Sequence, residues 1–327
     1  MTFAPVMHDF SGEFRNLRYV VRNAGRILLF AHTRPDADTV GANVALSHFL
    51  SELGKEVDMA CFDPMPDFGK KLFPKADFLH PDRLQLGTYD AVIASDSVNR
   101  GFDRIRDRLS EKTVTVLIDH HPIEDPKGDI VIIDPSVSSA AELVYAFLTH
   151  GKDRISRDTA TALLLGILGD TGNLQHSSTS TDTFAAASDL IQRGATLSKI
   201  TTTAFSDNKL TTLQLWGKAL ARAKINPENG MIYAAITERD IEELGNPSTD
   251  DLYIASELLN HVPDATFSLL FYQMTPETVR GSFRTEPHKG VDVSAIAKTL
   301  GGGGHRYASG FEVVGRIRET VGGWKIE

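Results

Sequence analysis

One cysteine, Cys61, in 327 residues excludes a fold stapled by disulfides. Only 26 glycines and 14 prolines are present, too few for a collagen-like or low-complexity chain. Long apolar runs are also missing: residues 27–31 and 163–168 fall far short of the ~20 needed to cross a bilayer, so no membrane span is expected. Positive charge is in deficit, with 34 Lys and Arg against 43 Asp and Glu and a net charge of -9. That argues against a stable complex with long nucleic acid, which needs many cationic contacts to phosphates. A small anion held locally stays compatible with it. The first thirty residues carry Asp9, Glu13 and scattered arginines where a secretory leader would have a basic start, an apolar run and a cleavage site. The expected location is cytoplasmic and reducing, with Cys61 packed as a small apolar group.

What remains is an ordinary globular composition, 41% hydrophobic and 24% charged, long enough for two domains. β-rich runs at 27–31, 57–62, 91–94, 114–118 and 130–133 alternate with helical spacing, first at 40–53. This rhythm predicts an α/β fold with a mainly parallel open sheet flanked by helices. Asp38 or Thr39 is the expected N-cap of the 40–53 helix and Gly54 its stop. Further helices are predicted over 138–150, 158–168 and 182–193, the first two capped by Ser138 or Ser139 and by Asp158. The turn cluster at 226–230 then precedes strands at 231–236, 266–272, 279–283 and 311–314 and helices at 251–261 and 293–300. The expected division is a domain over 1–195, a helical linker over 196–227 and a smaller α/β domain over 228–327.

Ligands collect at the carboxyl ends of strands in open α/β sheets. Three predicted strands end in polar residues: the first in His32, with Asp36 and Asp38 close behind, the third in Asp96, the fourth in Asp119-His120-His121. Asp170 follows the apolar segment 163–168, between two glycines. Singly, each has a bland reading as a cap, a turn former or a solvated pair. Gathered at one sheet edge, the carboxylates would lack compensation without cations, and two divalent metals satisfy them. Four aspartates and two histidines without a thiolate suit Mn2+, with Mg2+, Co2+ or Fe2+ as alternatives, better than structural zinc. Such a pair of ions suits phosphate ester hydrolysis, because it activates water for in-line attack and stabilises both attacking and leaving oxygens.

These residues also carry a family likeness. His32-Thr33-Arg34-Pro35-Asp36-Ala37-Asp38, Asp96, Asp119-His120-His121 and Gly169-Asp170-Thr171-Gly172 resemble the four ordered motifs of the DHH phosphoesterases. The segment from Gly301-Gly302-Gly303-Gly304 through His305, Arg306 and Ala308 to Gly310 resembles the glycine-rich motif of the DHH-associated C-terminal domain. The resemblance implies one metal on His32, Asp36 and Asp96 and a second on Asp38, Asp96, His120 and Asp170, with Asp96 bridging. It implies His121 as phosphate contact or proton donor and Asp119 as the residue orienting a neighbouring ligand. In the second domain it implies Arg284 of Ser282-Phe283-Arg284, Gly302, Gly303, Gly304, His305 and Arg306 as contacts to a substrate phosphate or terminal nucleotide. The local charge agrees: seven Lys and Arg against three acids lie between Arg280 and Arg318. The bland alternative is a solvated face.

The subgroup most resembled is the bacterial nanoRNases. The implied activity is hydrolysis of very short oligoribonucleotides and dephosphorylation of 3'-phosphoadenosine 5'-phosphate, with the active site in the interdomain cleft. The alternatives are a phosphodiesterase of cyclic dinucleotides or their linear products, and a non-catalytic nucleotide sensor. A homodimer is suggested by the family alone. Ala42 stands where many relatives carry serine, a departure that leaves every implied ligand in place. His176 is close enough to Asp170 to be a supporting candidate, and Trp216, Trp324 and the alternating Phe267, Leu269 and Phe271 read as packing residues.

Overall fold

The computed structural model describes residues 8–176, 178–205, 210–245, 249–320 and 323–327. The chain divides into two compact units, 1–207 and 208–327.

The first unit is built on five parallel strands, β1 (Arg26–Phe30), β2 (Glu56–Ala60), β3 (Ala91–Ser95), β4 (Val114–Asp119) and β5 (Ile130–Ile133), in the order β2-β1-β3-β4-β5. The strands are apolar on both faces, as a sheet covered on both sides requires. Ile27 and Leu29 of β1 enter one core, while Leu28 and Phe30 enter the other. The first core is completed by helices α1 (Ser11–Asn23), α2 (Ala37–Glu52), α3 (Asp67–Leu72), α5 (Ala140–His150), α6 (Arg157–Asp170), α7 (Thr181–Gln192) and α8 (Leu197–Ile200). The second is closed by Leu86, Tyr89, Val98, Phe102 and Ile105, the last of these on the short helix α4 (Asp103–Arg106). Helix α1 lies outside the predicted elements. Its Phe14, Leu17 and Val21 recur at the three- and four-residue spacing that buries one helix face.

Two caps differ from the sequence reading, those of α2 and α6. Helix α2 starts one turn earlier than 40, because Asp36, not Asp38 or Thr39, accepts the Thr39 N–H at 3.0 Å. Ser156 rather than Asp158 caps α6, and Ser139 caps α5. Helix α6 also runs on through Asp170, so that residue is a helix end and not a turn residue. Gly54 follows α2 in the left-handed conformation, φ 75°.

Helices α2 and α6 cross closely. A Cβ on Gly41 would lie 2.8 Å from the Gly166 nitrogen, and one on Gly166 would lie 2.7 Å from Asp38 Oδ1. The pairing brings the first turn of α2, with Asp36 and Asp38, beside the last turn of α6, with Asp170.

The second unit is a six-stranded sheet in the order β10-β11-β9-β8-β7-β6, from β6 (Lys224–Ile225), β7 (Met231–Ile236), β8 (Phe267–Thr275), β9 (Thr278–Arg284), β10 (Gly303–His305) and β11 (Ala308–Val314). Only β7 and β8 pair in parallel. Helices α9 (Leu210–Ala221), α10 (Glu238–Glu243), α11 (Thr249–Asn260) and α12 (Val293–Thr299) pack on it, and β12 (Ile317–Thr320) pairs with β13 (Gly323–Ile326). Phe267, Leu269 and Phe271 are core residues. Within the expected linker, Ile200 is buried in the first unit's core and Leu215 and Ala219 in the second's, and residues 206–209 lie outside the described residues. No described helix is long and apolar enough to cross a membrane.

Candidate metal centre

In the order β2-β1-β3-β4-β5, the topological switch lies between β1 and β3, where ligands bind in sheets of this type. His32 follows β1, Asp96 follows β3, Asp119 ends β4 and His120 and His121 come directly after it. Helix ends contribute Asp36, Asp38 and Asp170. Seven of the eight motif residues meet at this edge in three overlapping groups of potential ligands: His32, Asp36 and Asp96; Asp96, His120 and His121; Asp38, His120 and Asp170; the eighth, Asp119, bonds His121.

Local bonds aim each donor. His32 is buried, and its Nδ1 lies 2.6 Å from the Thr33 carbonyl, which fixes the proton there and leaves Nε2 to face Asp36 Oδ2 at 3.1 Å and Asp96 Oδ2 at 3.3 Å. Asp36 spends Oδ1 on its cap and presents Oδ2. Asp38 is buried, and its two oxygens accept the Ala140 and Ala141 N–H groups at 2.7 and 2.9 Å, at the start of α5. Asp96 adopts φ 53°, a left-handed conformation that aspartate tolerates better than most residues. Its N–H bonds the Ile118 carbonyl at 2.9 Å, and its carboxylate splits between the groups. Oδ2 accepts the Thr39 hydroxyl at 2.6 Å and faces His32; Oδ1 lies 3.4 Å from His121 Nδ1 and 3.9 Å from His120 Nε2. His120 Nε2 is 3.0 Å from Asp170 Oδ2 and 3.9 Å from Asp38 Oδ2. Asp119 accepts both the N–H and Nδ1 of His121 at 2.9 Å, and the Val98 N–H at 3.2 Å.

The protein's own charges leave this cluster unbalanced. Burial, then the charges of Asp170, Asp96 and Asp36, push the Asp38 carboxyl well above its usual range. Asp170 is raised by burial and by Asp36 and Asp96, against the pull of His120. Burial opposes a charge on His32, but its bonds to Asp36 and Asp96 outweigh that and push it up to about 9. His121 rises to about 10 through Asp119 and Asp96. Asp96, although buried, is held far below the usual range by His121, His32 and Thr39. Asp96 Oδ1 and His120 Nε2 are buried without a hydrogen-bond partner. Two orphaned donor atoms in a nest of carboxylates and imidazoles fit divalent metal ions.

The chain matches the DHH family N-terminal domain over residues 26–167 and the DHHA1 domain over 232–320. It belongs to the DHH family. DHH proteins of this kind are phosphoesterases, hydrolases of phosphodiester or phosphomonoester bonds. The chain is 29% identical over 296 residues to a bifunctional oligoribonuclease and PAP phosphatase, NrnA, of Bacillus subtilis, covering 88% of this chain and 89% of that one. Its fold matches the crystal structure of an exopolyphosphatase-related protein from Bacteroides fragilis with a TM-score of 0.82, over 92% of this chain and 91% of that one at 23% identity. It also matches RecJ from Thermus thermophilus in complex with Mn2+, with a TM-score of 0.54, 14% identity, and coverage of 94% of this chain and 52% of that one.

Two side chains at this DHH cluster lie outside the motif reading. Thr39 bonds Asp96, and Arg100 Nη2 and Nη1 lie 3.6 Å from Asp36 Oδ2 and 3.9 Å from Asp96 Oδ2. The available signal was position: Thr39 follows Asp38 directly, and Arg100 is four residues past a strand-ending aspartate. His176 meets the Asp170 carbonyl with Nδ1 at 3.1 Å.

The candidate residues of the second unit form a separate set. Gly303, Gly304 and His305 make the exposed edge strand β10, paired with β11. Gly302 and Gly304 are glycine for backbone reasons: a Cβ on Gly302 would collide with the Gly310 carbonyl, and one on Gly304 would sit 2.7 Å from the Ala308 oxygen. Gly303 has open space. Arg306 is exposed beside Tyr307. Arg284 is only 6% exposed; its Nε bonds Glu257 at 2.5 Å and its Nη1 the Phe283 carbonyl at 2.7 Å.

Proposed function

We propose that this DHH protein hydrolyses very short oligoribonucleotides and removes a phosphate from 3'-phosphoadenosine 5'-phosphate. The observation that carries the reading is Asp96, whose two carboxylate oxygens face two separate donor groups at the switch point of the sheet. His32, Asp36 and Asp96 would hold one divalent ion and Asp38, Asp96, His120 and Asp170 the other, with Mn2+ as the expected metal. When bound, the pair supplies Lewis acidity to the phosphate and an acidified water. The chain does the rest. Thr39 and the α5 N-terminus keep the carboxylates aimed. Asp119 fixes His121 through Nδ1, so that Nε2 is the atom to give a proton to the leaving oxygen. Gly302, Gly303, Gly304, His305 and Arg306 are the proposed contacts to the far end of the substrate. Arg284, held by Glu257, is grouped with them because it ends β9 directly opposite Ala308 of β11, the strand that pairs with β10. Sequence likeness to the NrnA oligoribonuclease over most of both chains supports the substrate class.

The test is a time course with Mn2+ on an equimolar mixture of a dinucleotide, a five-nucleotide RNA, a long RNA, 3'-phosphoadenosine 5'-phosphate and a cyclic dinucleotide. The dinucleotide and the bisphosphate are expected to disappear first while the long RNA persists. Prior loss of the cyclic dinucleotide, or no loss at all, would overturn the substrate assignment. Asp96→Asn is expected to remain folded and lose nearly all turnover; full activity in that variant contradicts a bridging carboxylate.

A further inference from the structure

Arg100 belongs to the first unit and is not part of the basic stretch of sequence around the glycine motif. It lies on the segment Val98–Phe102 that leaves β3 just after Asp96. The backbone there is anchored on both sides: the Arg100 N–H bonds the Ser97 carbonyl at 3.1 Å, and its own carbonyl accepts the Thr33 N–H at 3.2 Å, one residue from His32. Gly101 turns the chain at φ 122°, a conformation open to glycine, beside Thr33, Phe30 and Phe62. The root of the Arg100 side chain is thereby tied to the loop that carries His32.

Its guanidinium is a close neighbour of the cluster without being used up by it. Among the described residues it is the one Lys or Arg group within 4 Å of the cluster's carboxylates. Its separations of 3.6 and 3.9 Å are longer than hydrogen bonds, and 41% of the side chain is exposed. Five N–H donors therefore remain for something that arrives. Arg104, one turn further along, differs: its guanidinium is stacked 3.6 Å over the Phe62 ring. Charge counting says what arrives. Four aspartates balance two divalent ions and Asp119 pairs with His121, so a phosphate ester entering the cluster brings negative charge that a further cation beside it would meet. A planar guanidinium matches two phosphate oxygens at once.

We propose that Arg100 is a catalytic residue, its guanidinium taking the non-bridging oxygens of the phosphate held at the metal cluster. This rests on the phosphoesterase reading but not on the identity of the nucleotide. The test uses Mn2+-loaded protein in four forms: wild type, Arg100→Ala, Arg100→Lys and Arg104→Ala. Three quantities are measured: bound Mn2+ per chain, calorimetric affinity for inorganic phosphate, and turnover of a dinucleotide and of bis(p-nitrophenyl) phosphate. Arg100→Ala is expected to keep its Mn2+, bind phosphate at least ~10-fold more weakly and lose ~100-fold in kcat, on the scale of a missing oxyanion donor. Arg100→Lys should fall between, and Arg104→Ala should stay close to wild type, which separates a directed contact from a general loss of charge. Unchanged phosphate affinity in Arg100→Ala, an equal loss in Arg104→Ala, loss of Mn2+ along with the phosphate, or a wild type that binds no phosphate would each overturn the proposal. If the wild type ignores the dinucleotide while Arg100→Ala still loses phosphate affinity, the substrate assignment fails and the role of Arg100 stands.

Discussion

At the scale of single residues, aim matters as much as identity. The proposed bridging role of Asp96 draws on Thr39, which holds Oδ2 at 2.6 Å while Oδ1 makes no hydrogen bond. A buried hydrogen bond to a carboxylate contributes ~1.5–3 kcal/mol, which is ~10- to 150-fold in an affinity that depends on it. Thr39→Val, nearly the same shape without the hydroxyl, is therefore expected to weaken Mn2+ binding by at least ~10-fold, whereas Thr39→Ser should restore it. Calorimetric titration with Mn2+ checks this, and a valine variant with wild-type affinity would refute the role. The motif residues could be read from the sequence because carboxylates and imidazoles placed after strands announce themselves. Thr39 and Arg100 could not, since a threonine in a first helical turn and an arginine in a loop have common bland explanations. Arg284 shows the opposite effect: a cation expected at a substrate is found buried on Glu257.

At the scale of elements, glycines decide how closely backbones approach. Within the run 301–304, Gly302 packs against the Gly310 carbonyl and Gly303 meets nothing. Gly302→Ala is expected to destabilise the second unit by ~1–3 kcal/mol through overpacking, and Gly303→Ala to leave its stability almost unchanged. Chemical denaturation of the two variants distinguishes this from a uniformly flexible loop, in which both would be mild. The same logic acts at the crossing of α2 and α6, where Gly41 and Gly166 allow Asp38 and Asp170 to reach one cluster. Periodicity located these helices; the close approach between them depends on which faces meet, which spacing along one chain does not encode.

At the scale of the whole molecule, the two units carry different electrostatic liabilities. The first concentrates carboxylates that metal must neutralise. Chelation is expected to lower its melting temperature, since a ligand at 100 times its Kd adds ~2.7 kcal/mol to the folded state. The second unit rests on Asp240, buried at the start of α10, where it accepts from Arg222, from Lys218 at 2.8 Å and from the Thr237 hydroxyl at 2.7 Å. Burial opposes its charge, but Arg222, Lys218 and Thr237 outweigh burial and hold the carboxyl far below its ordinary value of 3.8. A carboxyl depressed in the folded state stabilises fully above that ordinary value, and the contribution is lost as pH falls from there through the depressed one. Thermal melts should therefore show the second unit weakening below about pH 4 in the wild type. In Asp240→Asn it should already be weakened by ~3 kcal/mol at neutral pH, because Arg222 and Lys218 lose their buried partner. An asparagine variant as stable as wild type at pH 7 would show that the ion pair contributes nothing.

The sequence by itself determined the parallel sheet, the order of the site motifs and the chemical class of the metal donors. Those depend on local alternation, on residues that follow strands and on which atoms can bind a hard cation. Tertiary structure alone decided that Asp36 caps α2 and frees Asp38 for the start of α5, that the two oxygens of Asp96 face different groups, and that Arg100 stands beside them while Arg284 is buried. Apart from the Asp36 cap, a bond over three residues, these depend on contacts between segments distant in the chain, set by how strands and helices pack, and no pattern along a single stretch of sequence contains them.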